Sequence, residues 1–198
     1  NHDDGFQSWS MGSGGVGSGE VVGIVLRGNT IINNEDPNQP HRGTLQGIGC
    51  FDGMFVDWTI ENNVVIVDHY HGITLAGARN CRLVNNTVLD PNDQRPGPAA
   101  LRIGNHKRGT VSSGCTVRNN LVSALHVEGE EMTEDHNLIV ADPAAVFAAP
   151  ARFDLRLRPG SPAIDAGSSD LTPRVDIEKT ARPQDAAVDI GAYEYSSK

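Results

Sequence analysis

The chain has 198 residues, and its 25 Asp and Glu against 16 Lys and Arg give a formal net charge of −9. That balance argues against a general electrostatic attraction to nucleic acid or to an anionic membrane surface. No run of about 18 apolar residues offers a membrane span. With 22 glycines and 5% aromatic residues, the composition suits tightly turning β-structure better than helices, where an interior Gly is unfavourable by about 1 kcal/mol relative to Ala. Nothing in the length demands two domains.

The opening Asn1-His2-Asp3-Asp4-Gly5-Phe6-Gln7 has no starting Met and already reads as strand, so further coils are expected upstream. The first predicted strand, Gly5-Phe6-Gln7-Ser8-Trp9, returns as Gly47-Ile48-Gly49-Cys50-Phe51, Gly72-Ile73-Thr74-Leu75-Ala76 and Ala100-Leu101-Arg102-Ile103-Gly104. The period-2 alternation of strands sends Phe6, Ile48, Ile73 and Leu101 inward, with Ser8, Cys50, Leu75 and Ile103 beside them. Three columns then face out: Gly5, Gly47, Gly72 and Ala100; Gln7, Gly49, Thr74 and Arg102; Trp9, Phe51, Ala76 and Gly104.

A second strand follows in each repeat, in the rows Ile24-Val25-Leu26, Trp58-Thr59-Ile60, Cys81-Arg82-Leu83 and Cys115-Thr116-Val117. After it comes a short phrase said five times: Gly28-Asn29-Thr30-Ile31, Asn62-Asn63-Val64-Val65, Asn85-Asn86-Thr87-Val88, Asn119-Asn120-Leu121-Val122 and His136-Asn137-Leu138-Ile139. Repetition at intervals of tens of residues is the mark of stacked supersecondary units, here the rungs of a solenoid. The second Asn of each phrase is expected to bond to its equivalents above and below, satisfying amides that are otherwise buried unpaired. Stacked strands lie roughly 4.8 Å apart, which puts Cys81 and Cys115 within disulfide range, although parallel in-register thiols are expected to stay free.

Residues 10–20, 33–42, 91–98 and 105–114 carry turn chemistry and read as loops projecting from the stack. Beyond Asn137 the register decays. Asp142-Pro143 predicts the N-cap and first position of a short helix. Residues 1–140 are assigned to coils, and 141–198 to an irregular segment capping the last open rung. The first rung needs an upstream segment or a partner chain to cover its open end.

The Asn phrases and Gly-apolar strands resemble the right-handed parallel β-helix, or pectate-lyase-like, superfamily. Ser161-Pro162-Ala163-Ile164-Asp165-Ala166-Gly167 and Asp189-Ile190-Gly191-Ala192-Tyr193-Glu194-Tyr195 resemble the C-terminal end of many secreted bacterial β-helix proteins. The resemblance implies an all-β solenoid, an extracellular or periplasmic location, and a polysaccharide partner bound along the outer face of one sheet. It is poor for activity, because the same fold hosts lyases, hydrolases, epimerases, tailspikes and adhesins.

The sheet carrying Gln7, Thr74 and Arg102 is the expected face, since its glycine column permits close approach and Trp9 or Phe51 presents a ring to a sugar. Ionisable groups gather where the chain joins that sheet: His2, Asp3 and Asp4 on one coil, Gln46 on the next, His69 and His71 on the third. Asp4, Gln46 and His71 share a position, two rungs spanning roughly 10 Å. A lyase acting on a uronate polysaccharide needs a base, for which His69 and His71 are the candidates, and a cation for the substrate carboxylate, Arg102 or Lys107. A hydrolase instead needs two carboxylates, about 5–5.5 Å apart for retention or about 6.5–9.5 Å for inversion, with Asp3 or Asp4 as the first candidate for one of the pair and Asp52 as a lesser candidate. Asp3, with Asp4, is also the candidate grip for Ca²⁺. The alternative to an enzyme is a glycan-binding module using the same face.

Overall fold

The computed structural model describes residues 3–33, 36, 38–40, 43–92 and 95–197. Among these the chain winds through five rungs of a parallel β-helix. The front sheet stacks Asp3–Trp9, Leu45–Asp52, His71–Ala76, Ala100–Gly104 and Ala124–Val127. The back sheet stacks Val25–Arg27, Thr59–Glu61, Arg82–Val84, Thr116–Arg118 and Thr133–Asp135. The flank sheet stacks Thr30–Ile32, Val64–Ile66, Thr87–Leu89, Leu121–Val122 and Leu138–Ile139. A smaller corner sheet of Glu20–Val22, Met54–Val56 and Ala78–Arg79 joins front to back.

The expected rows are in register. Phe6, Ile48, Ile73 and Leu101 pair in sequence up the front sheet, and Val25, Thr59, Arg82 and Thr116 up the back. The fifth rung is the one the repeat did not reveal beyond its Asn phrase. There Glu134 takes the place that Val117 holds below it, so the apolar pattern that marks the other rows is broken.

The repeated phrase has two separate duties. Its first residue turns the corner in the left-handed region, with φ of 68° at Gly28, 53° at Asn62, 52° at Asn85, 54° at Asn119 and 50° at His136. Gly and Asn tolerate that region best among the coded residues. The second residue builds the ladder: Nδ2 of Asn29, Asn63, Asn86 and Asn120 donates to Oδ1 of the next Asn at 2.8, 2.9, 3.0 and 2.9 Å. Each ladder Oδ1 also accepts the backbone N–H of the Asn one rung below.

Inside, Trp58, Phe55, Ile60, Leu83 and Leu101 form the centre of one continuous core. Trp58 Nε1 reaches the Val21 carbonyl at 2.8 Å. The three cysteines are free and buried, and Cys115 Sγ accepts from the Cys81 backbone N–H at 3.4 Å. Burial pushes the Cys50 thiol up to about 12, which leaves it protonated and inert at neutral pH.

Two expected columns differ in the structure. A Cβ at Gly47 would lie 2.2 Å from the Gly72 carbonyl oxygen and 2.4 Å from Val65 Cγ1, and one at Gly72 would lie 2.4 Å from Val88 Cγ1. These glycines therefore face the core and serve close packing against the flank sheet, not approach of a substrate. A register shift between Ser8 and Trp9 pairs Trp9 with Asp52, so Trp9 and Phe51 do not form one column. An irregularity of this kind re-aims the side chain at its end.

The segment after the last rung begins as expected, with Pro143–Val146 helical and the Asp142 side chain accepting from Ala144 N at 2.9 Å. It continues through a hairpin of Phe147–Ala149 and Asp154–Leu157. From there it runs along the side of the stack and is not confined to the last rung. Asn62, Asn85 and Asn119, the corner residues of three rungs, donate to the carbonyls of Val175, Asp189 and Ser168 at 2.7, 3.0 and 2.7 Å. The cause is the outer side of the flank sheet, where Val64, Ile66, Leu89 and Leu121 form a second apolar cluster with Phe147, Leu155, Ile190 and Ala192 of this tail.

The two C-terminal phrases supply the polar lock of that seam. Asp189 accepts Asp165 N at 2.8 Å and Tyr195 N at 2.5 Å. Glu194 receives Arg182 Nη1 at 2.8 Å, each side chain being 1% exposed. Arg182 Nη2 also donates to the Gly191 carbonyl at 2.8 Å. Burial pushes the Asp189 and Glu194 carboxyls up and the Arg182 guanidinium down.

Candidate functional site

The front sheet is the face that the tail leaves uncovered. Its middle carries a cluster built around Gly49, which has no side chain to fill the space above it. A Cβ there would lie 2.8 Å from Phe51 Cε2 and 2.9 Å from Asp4 Oδ1. Asp4 pairs in register with Gln46, yet its carboxylate leans along the strand to Gly49. The Phe51 ring is 4.6 Å from the His71 ring, so Phe51 reaches from the space above Gly49, where the Asp4 carboxylate also lies, to His71, whose strand is two rungs from that of Asp4.

His71 is fixed in orientation. Its Nδ1 is 2.9 Å from Thr74 Oγ1, and Thr74 itself is buried. His71 N donates to His69 Nδ1 at 3.1 Å, and the two rings stack 5.2 Å apart. Tyr70 lies 4.2 Å from both. Strict alternation would send Tyr70 to the opposite side from its neighbours. The chain bends through residues 68–70 before the strand begins, and the bend gathers all three rings, which is why Tyr70 was missed as a member of the cluster.

Arg102 stands over Tyr70, its Cζ 6.0 Å from the ring centroid, a distance at the outer limit for a cation–π contact. The exposed His126 follows it in register on the fifth rung. His126 escaped the sequence reading because its strand was not recognised.

Gln7 and Trp9 occupy the lower part of the face. Trp9 is 57% exposed, and the expected loop of residues 10–20 contains a hairpin of Met11–Gly12 and Gly15–Val16 that leaves the ring open to solvent. Gln7, Trp9, Val16, Phe51 and Asp52 line a shallow depression of about 220 Å³.

Three expected participants are placed differently. Lys107 forms an ion pair with Asp52, and Arg108 Nη2 donates to the Val16 carbonyl at 3.1 Å. The loop of residues 105–110 thus closes over one end of the face, and Lys107 is a wall residue tied to Asp52, not a second cation beside Arg102. Gln46 is 3% exposed and offers almost no surface to a ligand. Asp3 is exposed and its Oδ2 lies near Gly43, while Asp4 turns to Gly49. The two carboxylates do not converge, and among the described residues no group of three or more His, Cys, Asp or Glu is arranged to hold a metal ion. The donor set therefore does not fit Ca²⁺. His2 lies outside the described residues.

The arrangement holds an imidazole with a fixed ring, a neighbouring carboxylate, a guanidinium one rung away and exposed aromatic rings along one open face. This is a parallel β-helix with a polar and aromatic front. No protein-family model matches the chain, and no curated protein matches it.

Proposed function

We propose that the protein is a carbohydrate-active β-helix of the pectate-lyase-like type that cleaves an acidic polysaccharide by β-elimination on the front face. The observation that carries this reading is the convergence of Asp4, Phe51, His71 and Thr74 around Gly49, with Arg102 beside Tyr70. In the reaction a base removes the C5 proton of a uronate, the C4–O bond breaks, a C4–C5 double bond forms, and the leaving oxygen takes a proton. Arg102 neutralises the uronate carboxylate and so lowers the cost of charge building at C5. His71, oriented through Nδ1 by Thr74, takes the proton at Nε2, and the proton returns to the leaving oxygen through the His71–Asp4 neighbourhood.

The depression beside Trp9 favours a second reading, a glycan-binding module without chemistry, because an exposed indole next to a small polar-lined hollow suits stacking on a sugar ring. A hydrolase would pair Asp4 with Asp52, and Asp52 is engaged by Lys107. Incubation with a panel of uronate-containing and neutral polysaccharides separates the three. Ultraviolet-absorbing unsaturated ends that disappear in Arg102→Ala are the expected result. Reducing ends without unsaturation overturn elimination in favour of hydrolysis, and binding without either product leaves the module.

A further inference from the structure

A second cavity is built on the back sheet, away from the front face. It is a cleft of about 470 Å³ between the back sheet and the tail. Four cationic side chains line it: Arg27 and Arg82 from the first and third rungs, Arg174 and Lys179 from the tail. All four residues are exposed. In a chain with a formal net charge of −9, such a concentration of positive charge is local and needs its own explanation.

The acidic residues of the cleft cancel only part of it. Glu61 is buried and already paired with Arg27. Asp176 is 1% exposed, and its two oxygens accept the backbone N–H groups of Thr180 and Glu194. Arg82 uses one donor, Nη2, on Thr59 Oγ1 at 3.0 Å. Among the described residues the side chains of Arg174 and Lys179 make no hydrogen bond or ion pair. The cleft therefore presents guanidinium and ammonium donors that the fold itself does not consume. A guanidinium recognises planar and tetrahedral oxyanions through paired N–H groups.

Two geometric facts narrow the ligand. Arg27 and Arg82 are two rungs apart and in different register columns, Arg82 in that of Val25 and Thr59 and Arg27 in that of Glu61, so their backbones are more than roughly 10 Å apart at the spacing of stacked strands, and a ligand meeting both along the cleft carries more than one anionic group. The walls contributed by Leu171, Pro173 and Val175 are aliphatic, with no aromatic side chain on which a nucleobase stacks. We propose that this cleft is a second binding site, for a segment of a polyanionic glycan, formed jointly by the back sheet and the tail. The choice of a glycan as the polyanion rests on the carbohydrate reading of the front face, whereas the place and charge of the cleft do not.

The sequence provides a direct readout, because its only lysines are Lys107, Lys179 and Lys198. Lys179 lies in the cleft and Lys107 at the front, so one acetylation experiment reports both faces. The intact chain is acetylated with and without a hexagalacturonate oligosaccharide, and modification at each lysine is quantified by peptide mass spectrometry. The expected result is a slowing of Lys179 acetylation of about fivefold or more, lost in the Arg82→Gln/Arg174→Gln double variant. Both substituted residues are exposed, and a circular dichroism melt verifies that the variant is folded; Lys179 protection in an Arg174→Glu single variant, also expected to be lost, gives a second reading. Unchanged Lys179 labelling with the oligosaccharide overturns the site. Equal protection by inorganic sulfate at the same charge concentration overturns the requirement for a polyanion, and equal protection by a single-stranded oligonucleotide overturns the assignment to a glycan. Protection of Lys107 alone supports only the front-face reading and likewise overturns this one.

Discussion

The outer side of the flank sheet and the outer side of the front sheet are built from the same rungs, and they meet opposite fates. The flank exposes Val64, Ile66, Leu89 and Leu121 on successive strands, and the chain covers them with its own tail. The front presents Gln7, Arg102 and His126 in one register column with the buried Thr74 between them, and among the described residues the wall of residues 105–110 closes one end of it. The difference teaches where to look for function in a solenoid. A side that must be buried for stability is closed by the fold, and a side that carries polar and aromatic groups without needing them for stacking is left open.

The largest expected effect breaks the closed side. Arg182→Met removes the cation from a buried pair and leaves Glu194 without it in the seam. Removing one partner of a buried ion pair costs about 3–5 kcal/mol, so chemical denaturation is expected to show a loss of that size. A loss under about 1 kcal/mol contradicts the role given to the seam. The next effect concerns the glycines between the two sides. Gly47→Ala puts a methyl group into contact with the Gly72 carbonyl and Val65, and overpacking of this kind costs about 1–3 kcal/mol. Gly104→Ala meets nothing within 4 Å and is expected to be near neutral. Equal melting temperatures for the two variants would return the Gly47 column to the outer surface.

A smaller effect tests the Arg118–Asp135 tie between the last two rungs of the back sheet. Arg118 bridges Asp135 and the tail residue Asp170, and its hydrogen bond holds the Asp135 carboxyl down to about 2 from the usual 3.8. A depressed carboxyl contributes stability above its unfolded value and loses it as pH falls through the folded one. The stability gap between the parent protein and Asp135→Asn is therefore expected to shrink as pH falls from about 4 towards 2, followed by denaturation at each pH. A gap independent of pH contradicts the linkage.

How much of this the sequence disclosed follows from what repeats. The inward rows and the Asn ladder recur on nearly every rung, and each is dictated by nearest-neighbour stacking, so alternation and spacing recover them. The glycine column is legible as a repeat but not as to side, because strict alternation assigns it outward whereas Val65 and Val88 of the flank sheet pack directly against it. The site is made of departures from the repeat. Asp4 leans along its strand, Tyr70 rounds a bend, Trp9 follows a register shift, and Lys107 crosses from a loop to Asp52; no periodicity encodes these. His71 and Arg102 were named from their chemistry, whereas the Thr74 hydroxyl as the partner that orients His71 emerges only from the distance between them.

The central claim is that the front face serves function and not stability, and His71→Gln tests it most directly when unfolding free energy and polysaccharide turnover are measured on the same preparation. Stability within about 0.5 kcal/mol of the parent, as for a substitution outside the core, together with loss of unsaturated product is the predicted result. A clear loss of stability with product formation intact would contradict it.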